Sequence, residues 1–250
     1  MAVSVDTVYQ RVLAILNKEQ RGYVTPQEFN LFANQAQLDI FEQYFYDINQ
    51  FGRVPGNDTE FSDMLNILNE KINIFEKNGP MTYSAQNYWT APADLYRLGT
   101  IVYANIVSSL SLYPTPNTVV NTTTLVEAER TNYNEYLMIN QSEYLKPTNA
   151  RPVFVASDAG YKVYGSAGEL ITGVTCNYIK VPSEVAWGYQ MVYGEALYDA
   201  TTAVNFELHE SEETELVIKI LAFAGLSTKQ IEIYQVANSI EAQTTQQEKQ

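Results

Sequence analysis

Between Thr25 and Gln50 the apolar residues fall at steps of three and four. Phe29, Phe32, Ala33, Ala36, Ile40, Phe41, Tyr44, Phe45 and Ile48 make one continuous stripe, the period of an amphipathic helix. Thr25 stands where an N-cap hydroxyl is wanted, Pro26 fills the first helical position, and Glu28 lies three residues after Thr25. That is a capping box, in which hydroxyl and carboxylate each serve one of the N–H groups orphaned at a helix start. Burial of the large rings predicts a core helix. Aromatic residues are also enriched at interface cores, so part of the stripe is a candidate contact with another subunit.

The same period predicts a first helix starting at Ser4 or Asp6 and running to about Gln20, stopped by Gly22. So short a turn before Thr25 predicts a helical hairpin. A third helix is expected from about Thr59 to Lys77, ended by Asn78-Gly79-Pro80. Between Met81 and Pro182 the period shortens towards two, and Tyr, Thr, Val and Asn become common. One or two strands are predicted over Leu98–Leu110 and others at Thr122–Ala128, Pro152–Ala156, Tyr161–Tyr164 and Leu170–Ile179, with a short helix over Glu129–Asn140. Helical spacing returns at Gly188–Val204, at Ser211 to about Gly225, and more weakly at Lys229–Ala242. The fold class is therefore α+β. Residues 1–80 and 183–226 form a mainly helical body, 81–182 an inserted antiparallel β-rich portion, and 227–250 a C-terminal helix and tail suited to docking on a partner.

Charge narrows the function. Fifteen Lys and Arg against 29 Asp and Glu give a formal net charge of −14. Tight nucleic-acid binding needs clustered cations, so it is not expected, whereas an acidic surface lets DNA slide past without capture. Between Lys180 and Lys219 there is no cation, while Glu184, Glu195, Asp199, Glu207, Glu210, Glu212, Glu213 and Glu215 all occur. That run predicts either a solvated helical face or one wall of an acidic channel. The single cysteine, Cys176, lies in an apolar strand-like run and reads as a buried small hydrophobe. Neither a signal peptide nor a membrane-spanning run is read in the chain. One histidine, His209, without a cysteine cluster argues against zinc, and no Gly-X-Ser-X-Gly elbow accompanies it. Phosphate-binding loops are not found either, and the glycines from Gly160 to Gly173 are spaced as hairpin turns. Glu210, Glu212, Glu213 and Glu215 crowd one helix start, where they suit the dipole better than acid–base catalysis. No catalytic, cofactor-binding or metal-ligating residue is assigned, and no cofactor is expected.

Several stretches together resemble the head-to-tail connector proteins (ring or adaptor proteins) of crAss-like and related tailed phages. They are VDTVYQRVLAILNKEQRGYVTPQEFNLFANQAQLDIFEQYF, APADLYRL, VEAERTNYNEYL, KPTNARPVFV, ITGVTCNYIKVPSEVAWGY and NFELHESEETELVIKILAFAGLSTKQ. The resemblance implies a helical body with a β-rich insertion and a non-enzymatic structural role in the virion neck, after assembly in the host cytoplasm. It implies a homo-oligomeric ring of about twelve copies fixed below the portal protein, with a heterologous joint between copies. Downstream tail or second-ring proteins would be further partners. DNA would pass through the lumen during ejection without specific binding, and no membrane would be involved. The segment after about Ser227 would engage the portal. Other readings are a stopper, tail-tube or tail-hub component, or, from a different class, a cytoplasmic enzyme using acidic residues.

Overall fold

The computed structural model describes residues 3–18, 24–51, 64–111, 118–227 and 239. In chain order the elements are α1 (Val5–Lys18), α2 (Pro26–Phe51), α3 (Met64–Asn73), β1 (Glu76–Pro80), β2 (Thr82–Tyr83), β3 (Trp89–Thr90), β4 (Leu95–Ser111), β5 (Thr118–Glu127), β6 (Glu129–Thr131), α4 (Tyr133–Gln141), β7 (Val153–Ser157), β8 (Gly160–Gly165), β9 (Gly168–Glu169), β10 (Val174–Lys180), β11 (Tyr189–Val192), β12 (Glu195–Tyr198) and α5 (Glu213–Ser227), the last preceded by a 3₁₀ turn at Glu210–Glu212. The fold is α+β. The chain divides into two compact units, one built from residues 1–74 and 182–250 and the other from 75–181.

In the first unit the capping box at Thr25 forms as its spacing predicts. The Thr25 N–H donates to the Glu28 carboxylate at 2.9 Å, and the Glu28 N–H donates to the Thr25 hydroxyl at 3.3 Å. Phe29, Ala33, Ala36, Ile40, Phe41 and Tyr44 of α2 are buried. Helix α5 packs along both α1 and α2, and α3 packs along α2. The expected α1–α2 hairpin is therefore a three-way arrangement. Tyr9 meets Phe29 with ring centroids 4.7 Å apart, and α5 supplies the long contact.

Two expectations are corrected here. Gly188–Val204 is not a helix but contains the antiparallel hairpin β11–β12, with Tyr189 paired to Tyr198 and Val192 to Glu195. Tyr193 and Gly194 form its tip with φ of 52° and 89°, the left-handed pair that a tight two-residue hairpin turn requires. The helical spacing misled because Met191, Val192 and Leu197 are exposed rather than packed on a core. The third helix stops at Asn73 instead of reaching Lys77. Residues 76–80 pair with β10, and Asn78-Gly79-Pro80 lie in a strand at the sheet edge, where a proline is tolerated.

The second unit holds two sheets. One has the order β1-β10-β4-β5 and is antiparallel throughout. The other runs β2-β3-β8-β7-β6 with β9 on β8, and its β6–β7 pair is parallel. Met81, Trp89, Ile101, Phe154, Val163, Val174, Cys176 and Tyr178, drawn from both sheets, form one buried core. Within it the Trp89 indole N–H donates to the Leu170 carbonyl at 2.7 Å. Gly160 takes φ of 141°, and a Cβ there would lie 2.5 Å from the Trp89 carbonyl oxygen, so the β7–β8 turn needs glycine.

Candidate functional site

The residues that stand out in the second unit belong to β4 and β5. Their sequence is rich in valine, isoleucine and threonine, whose branched side chains favour an extended backbone. With 17 residues, β4 is longer than most strands of globular proteins. Its first half is held in the sheet, where β10 pairs with it as far as Tyr103 and the Ala104 N–H donates to the Gly173 carbonyl at 2.8 Å. From Asn105 to Ser111 it pairs, among the described residues, only with β5, in register Asn105–Thr124 through Ser111–Thr118. β5 is the outermost strand of its sheet. Beyond Ala104 the pair is a two-stranded ribbon whose outer edges have no partner among the described residues.

Both faces are open as well. Ile106 and Val107 are consecutive, so they point to opposite faces, and they are 62% and 49% exposed. Leu125 is 74% exposed. No residue from Leu98 to Val126 carries a charge, although the chain as a whole is strongly acidic. Natural sheets protect an exposed edge with charges, proline or bulges. The opposite edge of the same sheet, β1, is so protected by Glu76, Lys77, Gly79 and Pro80. The β4–β5 ribbon lacks these devices. Strand prediction found both elements, yet the uncharged run, legible in the sequence, was the signal that marks them as a contact surface.

The acidic residues singled out from sequence lie in the first unit and are largely engaged. His209 caps the 3₁₀ turn, its Nδ1 accepting from the Ser211 N–H at 3.2 Å. Glu212 is buried and pairs with Lys71 of α3 at 2.5 Å, Glu213 with Arg11 of α1 at 3.0 Å, and Glu215 with Lys219 at 3.8 Å. Glu207 accepts from the Ser183 N–H and hydroxyl at 2.9 and 3.1 Å. Asp199 accepts from the Thr201 hydroxyl and N–H and from Gln190, bonds that hold its carboxyl down at about 2. Glu184, Glu195 and Glu210 are exposed. The eight carboxylates are therefore spread over a loop, a hairpin and a helix start. Cys176 is buried, and burial pushes its thiol up.

Two of the hollows in the second unit have linings built from the described residues. One of about 670 Å³ is lined by Arg97, Glu127, Glu129, Arg130 and Tyr161 among others. The other, about 560 Å³, has Tyr136 stacked on Tyr164 at 3.9 Å and Lys162 bonded to Glu169 at 2.9 Å. Burial and the neighbouring Tyr136 push the Tyr164 hydroxyl up to about 12. The charged groups of this hollow satisfy each other. Among the described residues there is no metal-binding cluster of His, Cys, Asp and Glu, and no helix long and apolar enough to cross a membrane. The expected docking segment, 227–250, lies outside the described residues apart from Ser227 and Ser239. Comparison with protein-family models and with curated proteins finds no match to this chain.

Proposed function

We propose that this chain is a structural subunit of a head-to-tail connector ring in a tailed-phage virion, attached to the portal, linking capsid to tail and forming part of the DNA channel. The observation that carries the reading is the β4–β5 ribbon. A two-stranded ribbon alone is marginally stable in water, and this one is uncharged and, among the described residues, open at both edges and on both faces. Such a piece is built to be completed by another chain. The net charge of −14 suits a wall past which DNA must move without being held. Portal attachment is assigned to the segment after Ser227, by the resemblance of the sequence to connector proteins.

Electron microscopy of the purified protein, alone and mixed with its portal protein, tests the proposal. Closed rings, or a ring seated on the portal, are expected. Strictly monomeric protein in both conditions would refute it. Removing Lys229–Gln250 is expected to weaken portal attachment while the circular dichroism of the remainder stays unchanged.

A further inference from the structure

We propose that successive copies join edge to edge through the ribbon. The free edge of β5 in one copy pairs with the free edge of β4, beyond Ala104, in the next. This rests on the ring reading and specifies the joint it requires.

Three observations support a second copy as the occupant. The first is charge. Copies of a chain at −14 repel one another, and a surface without charge from Leu98 to Val126 lets two of them meet without opposing like charges. A cationic partner would gain nothing from that surface and would choose the carboxylates instead. The second is that the two free edges match in chemistry. Asn105–Ser111 and Thr118–Leu125 both lack proline and charge, so each can offer backbone N–H and C=O groups to an added strand.

The third is geometry. Within one copy β4 and β5 run antiparallel. Rotation about a ring axis leaves strand direction along that axis unchanged, so β5 of one copy and β4 of the next are also antiparallel. The order β4-β5-β4-β5 around the ring is then one continuous antiparallel sheet. Closure removes every edge, as in an up-and-down barrel. Because different edges meet, the joint is heterologous and can propagate. A β5-to-β5 joint would stop at a dimer and leave the β4 edge bare.

The full-length protein tests this with two blunted variants. Thr122→Lys with Thr124→Lys places charges on β5, and Ile106→Lys with Val107→Lys places them on β4; all four positions are exposed. Each variant is expected to remain monomeric by mass photometry, with unchanged circular dichroism, where the parent forms rings. Mixed together, they are expected to give one-to-one complexes, since each keeps the edge the other has lost. Thr122→Cys or Thr123→Cys, each adding one exposed thiol in the middle of β5 to the buried Cys176, is expected not to cross-link on oxidation. Rings that persist in both blunted variants would overturn the edge joint and leave the connector reading intact. Disulfide dimers from either cysteine variant would overturn it in favour of a twofold pair. Absence of rings from the parent, with and without portal, would remove the connector reading and this joint with it.

Discussion

The side-chain amide of Asn34 bonds in both directions with the backbone of Val185, 151 residues away in sequence. Its Nδ2 donates to the Val185 carbonyl at 2.9 Å, and its Oδ1 accepts from the Val185 N–H at 2.7 Å. The amide thus does what a neighbouring strand would do. Asn30 and Gln37, four before and three after it on the helix, extend the pattern. Asn30 accepts from the Trp187 N–H at 2.8 Å, and Gln37 donates to the Ser183 carbonyl at 2.9 Å while accepting from the Glu207 N–H at 3.1 Å. Three amides on one side of α2 so hold an extended segment whose Ala186 makes an antiparallel bridge with Val204. Asn34→Ala leaves two backbone groups of a buried residue without their partner. Urea denaturation is expected to register a loss of about 1–3 kcal/mol, and an unchanged midpoint would contradict the bridging role.

The aromatic stripe of α2 separates into two roles. Phe41 is fully buried, whereas Phe45 is only partly so and meets it edge-on with centroids 5.2 Å apart. Phe41→Ala is expected to cost about 3–5 kcal/mol and Phe45→Ala clearly less, by the same denaturation. Equal losses would place both rings in the core.

How much was legible follows from which groups the pattern makes visible. The capping box, the buried face of α2 and the buried Cys176 depend on local spacing and apolarity, which a sequence displays directly. The Asn30–Asn34–Gln37 ladder could not be read, because its partners lie 146 to 170 residues away and its amides look like ordinary polar positions. The β11–β12 hairpin was misread because Met191, Val192, Ala196 and Leu197 fit a helical period, while the deciding feature is a left-handed turn at Tyr193 and Gly194. The ribbon was legible as strands; its missing third strand is a property of where β10 stops.

Lys71 and Glu212 form an ion pair away from solvent, with side chains 18% and 5% exposed. Lys71 also lies 5.6 Å from the centre of the Tyr44 ring. Removing one partner of such a pair strands the other charge, so Lys71→Met is expected to cost about 3–5 kcal/mol. Adding Glu212→Leu should restore most of it in a double-mutant cycle. The Tyr44 hydroxyl is buried without a hydrogen-bond partner among the described residues, and burial, then Glu212 and Glu215, push it above its ordinary range. Tyr44→Phe is accordingly expected to be neutral or stabilising.

Asp199 closes the loop after β12 and carries a pH signature. Its carboxyl is held at about 2, below the ordinary aspartate value of 3.8. A depressed carboxyl adds stability that is complete above the ordinary value and is lost as pH falls through the depressed one. Order in residues 199–202 is therefore expected to persist to pH 4 and to fade between about 4 and 2. Carboxyl chemical shifts measured by nuclear magnetic resonance during acid titration would follow it. A midpoint near 3.8 would show that the Thr201 and Gln190 bonds are absent in solution.

Tyr193 occupies the first central position of the β11–β12 turn with φ of 52° and is fully exposed. Among the described residues its ring is not covered by a neighbour, yet the residue bears the steric cost of a left-handed backbone. Asparagine tolerates that conformation and is favoured before glycine in such turns. Tyr193→Asn is expected to stabilise the first unit by about 0.5–1 kcal/mol, taken as a fraction of the per-residue left-handed penalty. A rise of a few degrees in its melting midpoint would report it. An unchanged or lower midpoint would mean that the ring does gain contacts within the chain. If stability rises while ring formation weakens, the tyrosine is retained for contact with a partner, and its cost to the isolated subunit is repaid on assembly.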